Sequence, residues 1–406
     1  MHRLREIIRA LLLLTLATAT LLAGERSPAE AEKVAQQVLA RAIIVDTHED
    51  TSDRMFARGY DLADPGSPLM VNIPKMRAGH LGAAFFSIYV SAHRPSGDFL
   101  HGAIDLIDVV YEQVGKHSEA LGLAFTVDDI VRLHRQKRVA ILLGVEGGHL
   151  IENDLRLLNI LYRLGGRYLT LTHSVSLEWA DSSTDKPRAN GLSDFGRQVV
   201  ARMNQLGMMV DISHVSDKTF ADVLAVTKAP VIASHSSCRA LADNPRNLSD
   251  DMIRALAQNG GVIQINFYSP YLDQAYADAR RKTSEPRRAE ERAARQQFAQ
   301  DRPRLDQELD KINARYEAQL PVPSFERIAD HIDHAVQVGG VNHVGLGSDF
   351  DGIDSAPRGM EDVSKLPNLV RELARRGYSE AGLEKILGGN LLRVMRQVED
   401  VSHRMQ

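Results

Sequence analysis

Six apolar runs along this chain each stop at a histidine, aspartate or glutamate: AIIVDTHED (42–50), ILLGVEGG (141–148), YLTLTH (168–173), MMVDISH (208–214), PVIASHS (230–236) and HVGLGSDFDG (343–352). Two more runs, GAAFFSIYV (82–90) and GVIQINF (261–267), share the apolar, β-branched character. Short apolar runs bounded by turn residues predict buried strands. Between them the apolar spacing changes to three and four, which predicts amphipathic helices, as in DFLHGAIDLIDVVYEQVGKHSEAL (98–121). LSDFGRQVVARMNQLG (192–207) opens on Ser193 as a helix N-cap and closes on a glycine. SDKTFADVLAVT (216–227) and SDDMIRALAQNG (249–260) repeat the scheme. Strand, capped helix and glycine turn in succession predict parallel βαβ units, and eight strands favour a closed (β/α)8 TIM-type barrel over an open sheet. No G-x-G-x-x-G follows the first strand, which argues against a dinucleotide site.

Residues 271–322 break the rhythm. They are rich in Arg, Ala, Glu and Gln, and they are longer than a normal connection between strand and helix. Opposite charges three or four apart predict exposed helix. The segment reads as a charged helical excursion after the seventh strand. Because it leaves from the face where strands end, a lid or subunit contact is the alternative.

At 406 residues the chain has room for one large barrel domain, 25–406, behind a leader. A net charge of −4 and the absence of a basic stripe give no reason to expect nucleic acid. Cys238 is the single cysteine, so an internal disulfide and a cysteine-based zinc site are both excluded. The first 24 residues run from arginine-rich MHRLREIIRA through ALLLLTLATATLLAG to a polar stretch, the order of a signal peptide. The apolar part is too short for a standard membrane span, so we expect a secreted or periplasmic chain with no span in its mature form. An uncleaved N-terminal anchor is the alternative.

The chemistry lies in the strand ends. Residues two apart on a strand face the same side, so His48 and Asp50 would aim an imidazole and a carboxylate at one point. Glu146 precedes two glycines that let the backbone pass close to a bound group. His214 and His235 end later strands. Three imidazoles and two carboxylates favour zinc or a similar first-row metal. Five ligands exceed what one catalytic zinc takes, but they fit two metals if Glu146 bridges them. Such a pair could share a hydroxide that attacks a carbonyl. Asp349, directly after an apolar run, could carry the proton to the leaving group, with Asp351 two residues on as a second choice. His173 could hydrogen-bond the oxyanion, and Arg246, in NPRNL, could offer its fork of donors to a substrate carboxylate. His331 and His334 share a helix face away from the strand ends and read as packing residues.

On these residues the chain resembles the membrane (renal) dipeptidase family of zinc peptidases. DTHED, GVEGG, YLTLTH with a downstream WADSS, the run GLSDFGRQVVARMNQLGMMVDISHVS, VIASHSS with NPRNL, and HVGLGSDFDG match in order and spacing over about residues 40–398. The resemblance implies a (β/α)8 barrel, two zinc ions, hydrolysis of dipeptides and a homodimer. It implies that His48, Asp50 and Glu146 bind one zinc, that Glu146, His214 and His235 bind the other, and that His173, Arg246 and Asp349 contact substrate. Animal members are disulfide-linked and carry a C-terminal lipid, features this sequence does not share. Other amidohydrolase barrels bridge their metals with a carboxylated lysine on the fourth strand; RYLTLTH has none. The expected activity is that of a dizinc dipeptidase. A related amidohydrolase acting on another amide or a lactam, and a metal-binding protein without catalysis, are the alternatives.

Overall fold

The computed structural model describes residues 24–93 and 98–405. Its strands are β1 (Ile44–Glu49), β2 (Leu81–Tyr89), β3 (Leu121–Leu123), β4 (Val139–Glu146), β5 (Gly166–Thr170), β6 (Met209–Asp211), β7 (Ile232–Ser236), β8 (Val262–Ile265) and β9 (Val344–Leu346). All pair in parallel, in the order β2-β1-β9-β8-β7-β6-β5-β4-β3, and a second pairing of β2 with β4 closes the ring. That seam runs in register from Ala83↔Ala140 to Tyr89↔Glu146. The short β3 pairs only with the first residues of β4. Eight strands therefore make the closed barrel that the sequence predicts, with helices around it.

Parallel strands covered on both faces need apolar residues at nearly every position. β2 is buried along its whole length except for half-buried Tyr89, and β4 is buried throughout. Successive side chains then divide between two cores. Ala84, Phe86 and Ile88 join Ile141, Leu143 and Val145 against the surrounding helices. Ala83 and Phe85 join Ala140, Leu142, Tyr168, Met209, Ile232 and Val262 in a second cluster across the strands, completed by Leu391, Val394 and Val398 of the last helix, Asn390–Met405. Ser193, Ser216 and Ser249 cap the helices Asp194–Leu206, Asp217–Val226 and Asp250–Gln258, each accepting a backbone N–H of the first turn. Gly207, at φ 78°, ends the first of these in the left-handed region that suits glycine.

Three expectations change. The helix expected over 98–121 spans Phe99–Lys116; Leu121, its expected last residue, instead opens the strand Leu121–Leu123 that pairs with β4. The strands expected to end at His173, His214 and Asp349 stop three residues earlier, at Thr170, Asp211 and Leu346. The chain turns after each, and His214 and Asp349 both take φ 66° to do so. The segment 271–322 is a pair of helices, Gln274–Gln297 and Arg302–Glu317, with a small core of its own around Ala294, Leu305 and Ile312. The leader expected over 1–24 lies outside the described residues except for Gly24. Among the described residues, no helix is long and apolar enough to cross a membrane.

Gly144 of β4 shows how tightly the strand cluster is filled. A Cβ at that position would lie 2.0 Å from Cζ of Tyr168. Tyr168 is fully buried and cannot swing away. Gly144→Ala is therefore expected to cost about 1–3 kcal/mol through overpacking. Urea unfolding of the two proteins measures this, and an unchanged midpoint would contradict it.

Candidate active site

Each barrel strand delivers its polar residues to the same rim. Asp46, buried in β1, accepts the backbone N–H groups of His48 (3.3 Å) and of Ser348 beyond β9 (2.8 Å). His48 is fully buried, with Nδ1 2.7 Å from the Tyr168 hydroxyl, which donates to the Thr47 carbonyl at 3.1 Å. That arrangement turns Nδ1 into the donor and fixes the ring with Nε2 towards the rim. Nε2 has no hydrogen-bond partner and lies 3.6 Å from Glu146 Oε1 and 3.7 Å from Asp50 Oδ2. Burial disfavours an imidazolium here, yet the Glu146 and Asp50 carboxylates outweigh it and push the His48 pKa up to about 10. The surroundings of Nε2 favour positive charge.

Glu146, the last residue of β4, is the meeting point. Its Oε1 lies 3.1 Å from His214 Nε2, 3.5 Å from His235 Nε2, 3.6 Å from His48 Nε2 and 3.8 Å from His173 Nε2. Ser87 Oγ of β2 donates to the other oxygen at 3.2 Å. Burial pushes the Glu146 pKa up to about 7, against the pull of His48. His214 and His235 point the same nitrogen at each other across 2.8 Å. Burial drives both imidazoles well below their ordinary pKa, with Arg246 adding for His214 and His48 for His235. Neutral imidazoles aimed at one point are what a shared cation requires. His235 Nδ1 is 2.8 Å from Ser234 Oγ, which donates to Asp211 at 2.6 Å, the outer support typical of a ligating histidine.

The remaining expected residues surround this centre. Asp349 donates its backbone N–H to the His48 carbonyl (2.9 Å) and accepts from Asn266 Nδ2 (2.9 Å). Burial and then Asp50 hold its carboxyl well above the usual range. Asp351 is engaged elsewhere, accepting from Thr51 Oγ1 and from the N–H groups of Met70 and Val71, so it clips loops together. His173 stacks on His214 at 4.2 Å, and burial followed by Arg246 pushes its pKa down to about 3. Arg246 is 4% exposed and donates Nη2 to the His235 carbonyl at 3.1 Å, while its Nε has no partner. His331 is a packing residue: it accepts from the Cys238 N–H at 3.0 Å and contacts the Leu272 carbonyl at 2.9 Å.

The donor set fits divalent cations. Three groups bring ligand atoms within 4.8 Å of one another: His48, Glu146 and His235; Glu146, His173 and His214; and His48, Asp50 and Asp349. Nε2 of His48 is buried without a hydrogen-bond partner, and the Nε2 atoms of His214 and His235 are held 2.8 Å apart beside the Glu146 carboxylate, where a cation suits all three. Around the centre opens a cleft of about 600 Å³, lined by Tyr89, Tyr268, Tyr271 and Asp354 besides these residues. The sequence reading missed Tyr168, although it belongs to YLTLTH, because its role depends on a neighbour in β1. It also missed Asn266, which stands directly after the strand Val262–Ile265 and inside the run GVIQINF.

A sequence model of the membrane dipeptidase family (peptidase family M19) matches residues 32–406. Dipeptidase verJ of Clonostachys rogersoniana is 35% identical over 390 residues, covering 92% of this chain and 88% of the relative. Dipeptidase 3 of Mus musculus is 33% identical over 372 residues, covering 90% of this chain and 64% of that protein. The crystal structure of the probable dipeptidase PvdM from Pseudomonas aeruginosa superposes with a TM-score of 0.77 at 28% identity, covering 92% of this chain and all of that one. With a barrel whose strand ends gather imidazoles and carboxylates, and with a family match over nearly its full length, this chain belongs to the membrane dipeptidase family of metallopeptidases.

Proposed function

We propose that this chain is a dizinc dipeptidase that acts after export, as a secreted or periplasmic enzyme. The observation that carries the metal reading is Glu146, whose Oε1 lies within 3.8 Å of four imidazole nitrogens. His48, Asp50 and Glu146 would hold one ion, and Glu146, His214 and His235 the other. When bound, such a pair acidifies a water towards neutral pH and polarises the scissile carbonyl.

The protein groups supply the rest. Asp349, held above the usual carboxylate range by burial and by Asp50, would accept a proton from the attacking water and return it to the departing amine. His173 stays neutral, so its N–H can donate to the developing oxyanion without competing for a proton. Arg246 lines the cleft with its Nε unpartnered and would grip the free carboxylate of the C-terminal residue. A grip on that carboxylate so near the hydrolytic centre favours dipeptides over longer chains. The signal-like composition of residues 1–24 supports export, and the family resemblance supports a homodimer.

Glu146→Ala should lose both ions and all hydrolysis. Elemental analysis of the purified variant beside a dipeptide assay reads both, and retained activity in metal-free protein would overturn the proposal. Arg246→Met should raise KM for dipeptides roughly ten- to a hundredfold, as expected for losing a hydrogen bond to a charged group, with metal content unchanged. An unaltered KM would remove Arg246 from substrate binding.

A further inference from the structure

The helical pair that follows β8 is tied to the cleft, and the ties converge on one arginine. Arg280, on Gln274–Gln297, sends Nη1 and Nη2 to the two oxygens of Asp354, at 2.9 and 2.5 Å. Asp354 lines the cleft from the loop after β9. Glu317, at the end of the second helix, lies 3.3 Å from Arg280 Nη1 and 3.2 Å from Arg287 Nη1, and Arg287 Nη2 is 3.5 Å from Asp354. The Tyr276 hydroxyl donates to Glu317 and accepts from Ser355 Oγ, which belongs to the same rim loop as Asp354. A two-pronged guanidinium–carboxylate pair fixes orientation as well as distance. The Arg280 side chain is only 19% exposed, so water competes weakly for it.

The same guanidinium lies over Tyr268, 5.6 Å from the ring centre. Tyr268 meets Tyr271 edge-to-face at 4.9 Å, and Tyr271 carries the Arg246 guanidinium 5.5 Å from its own ring centre. Both tyrosines line the cleft. A continuous series of cation–ring and ring–ring contacts therefore runs from the helical pair to Arg246, and each has a preferred geometry that constrains the next.

We infer that Arg280 is a positioning residue for the carboxylate-binding end of the cleft, acting through Tyr268 and Tyr271 on Arg246. The inference rests on the reading of Arg246 given above. It makes the inserted helices part of substrate selection, although Arg280 itself does not line the cleft.

The test compares an alanyl dipeptide bearing a free carboxylate with its C-terminal amide, using the parent enzyme, Arg280→Gln and Arg280→Lys, all with zinc content measured. The parent should prefer the acid. Arg280→Gln should keep its zinc and its kcat, raise KM for the acid about fivefold, the scale of a partly exposed ion pair with a cation–ring contact, and leave the amide unchanged. Arg280→Lys, which keeps the charge but not the fork, should recover part of the loss. Should Arg280→Gln not fold, Asp354→Asn, which removes the carboxylate that aims Arg280, must show the same loss of preference. Equal use of acid and amide by the parent would overturn the reading of Arg246 and this inference with it. A parent that discriminates beside an Arg280→Gln variant with undiminished preference would overturn this inference alone.

Discussion

A carboxylate buried among four imidazoles organises this molecule. Glu146 is almost inaccessible to water, and an isolated charge in such a place is costly. Nearby positive charge is the means of offsetting that cost, and the rim is built to receive it. His48 is pushed towards protonation by the carboxylates, while His214 and His235 are pushed towards neutrality by burial. Such opposed surroundings within a few ångströms suit a centre that takes up metal. Family membership in the membrane dipeptidases and the metal-ligating chemistry of these groups agree on that point.

The barrel makes the convergence possible. Glu146 stands at the end of the β2–β4 seam, where seven residue pairs in register fix its height against Tyr89 and place Ser87 beside it. Asp46 ties β1 to the turn after β9 through two backbone N–H groups, so that His48 and Asp349 approach each other. The positive φ at His214 and Asp349 bends each chain back over the rim immediately after a short strand. Non-glycine residues rarely adopt that conformation, and its recurrence at two site residues is the kind of local cost that functional positions tolerate.

Much of this was legible in the sequence, for a physical reason. A parallel strand buried on both faces must be an apolar run, so a polar residue at its end stands out sharply. That contrast exposed His48, Glu146 and His235, and its spacing exposed the barrel. Strand length was less legible. YLTLTH and MMVDISH read as strands to their histidines, whereas pairing stops at Thr170 and Asp211, because apolar character reports burial and not hydrogen bonding. Leu121, the first residue of the strand Leu121–Leu123, was absorbed into the preceding helix for the same reason. Least legible were residues defined by a distant partner: Tyr168 beneath His48, Asn266 beside Asp349, and Arg280 on Asp354. Nothing in a charged, alanine-rich helix distinguishes Arg280 and Arg287, which face a rim carboxylate, from the arginines that face water.

Anomalous X-ray diffraction across the zinc absorption edge, on crystals of the purified enzyme, tests the central claim most directly. Two peaks about 3.5–4 Å apart, one on the His48 side and one on the His214 side of a Glu146 carboxylate that contacts both, is the predicted result. A single peak, or two peaks that Glu146 does not join, would contradict it.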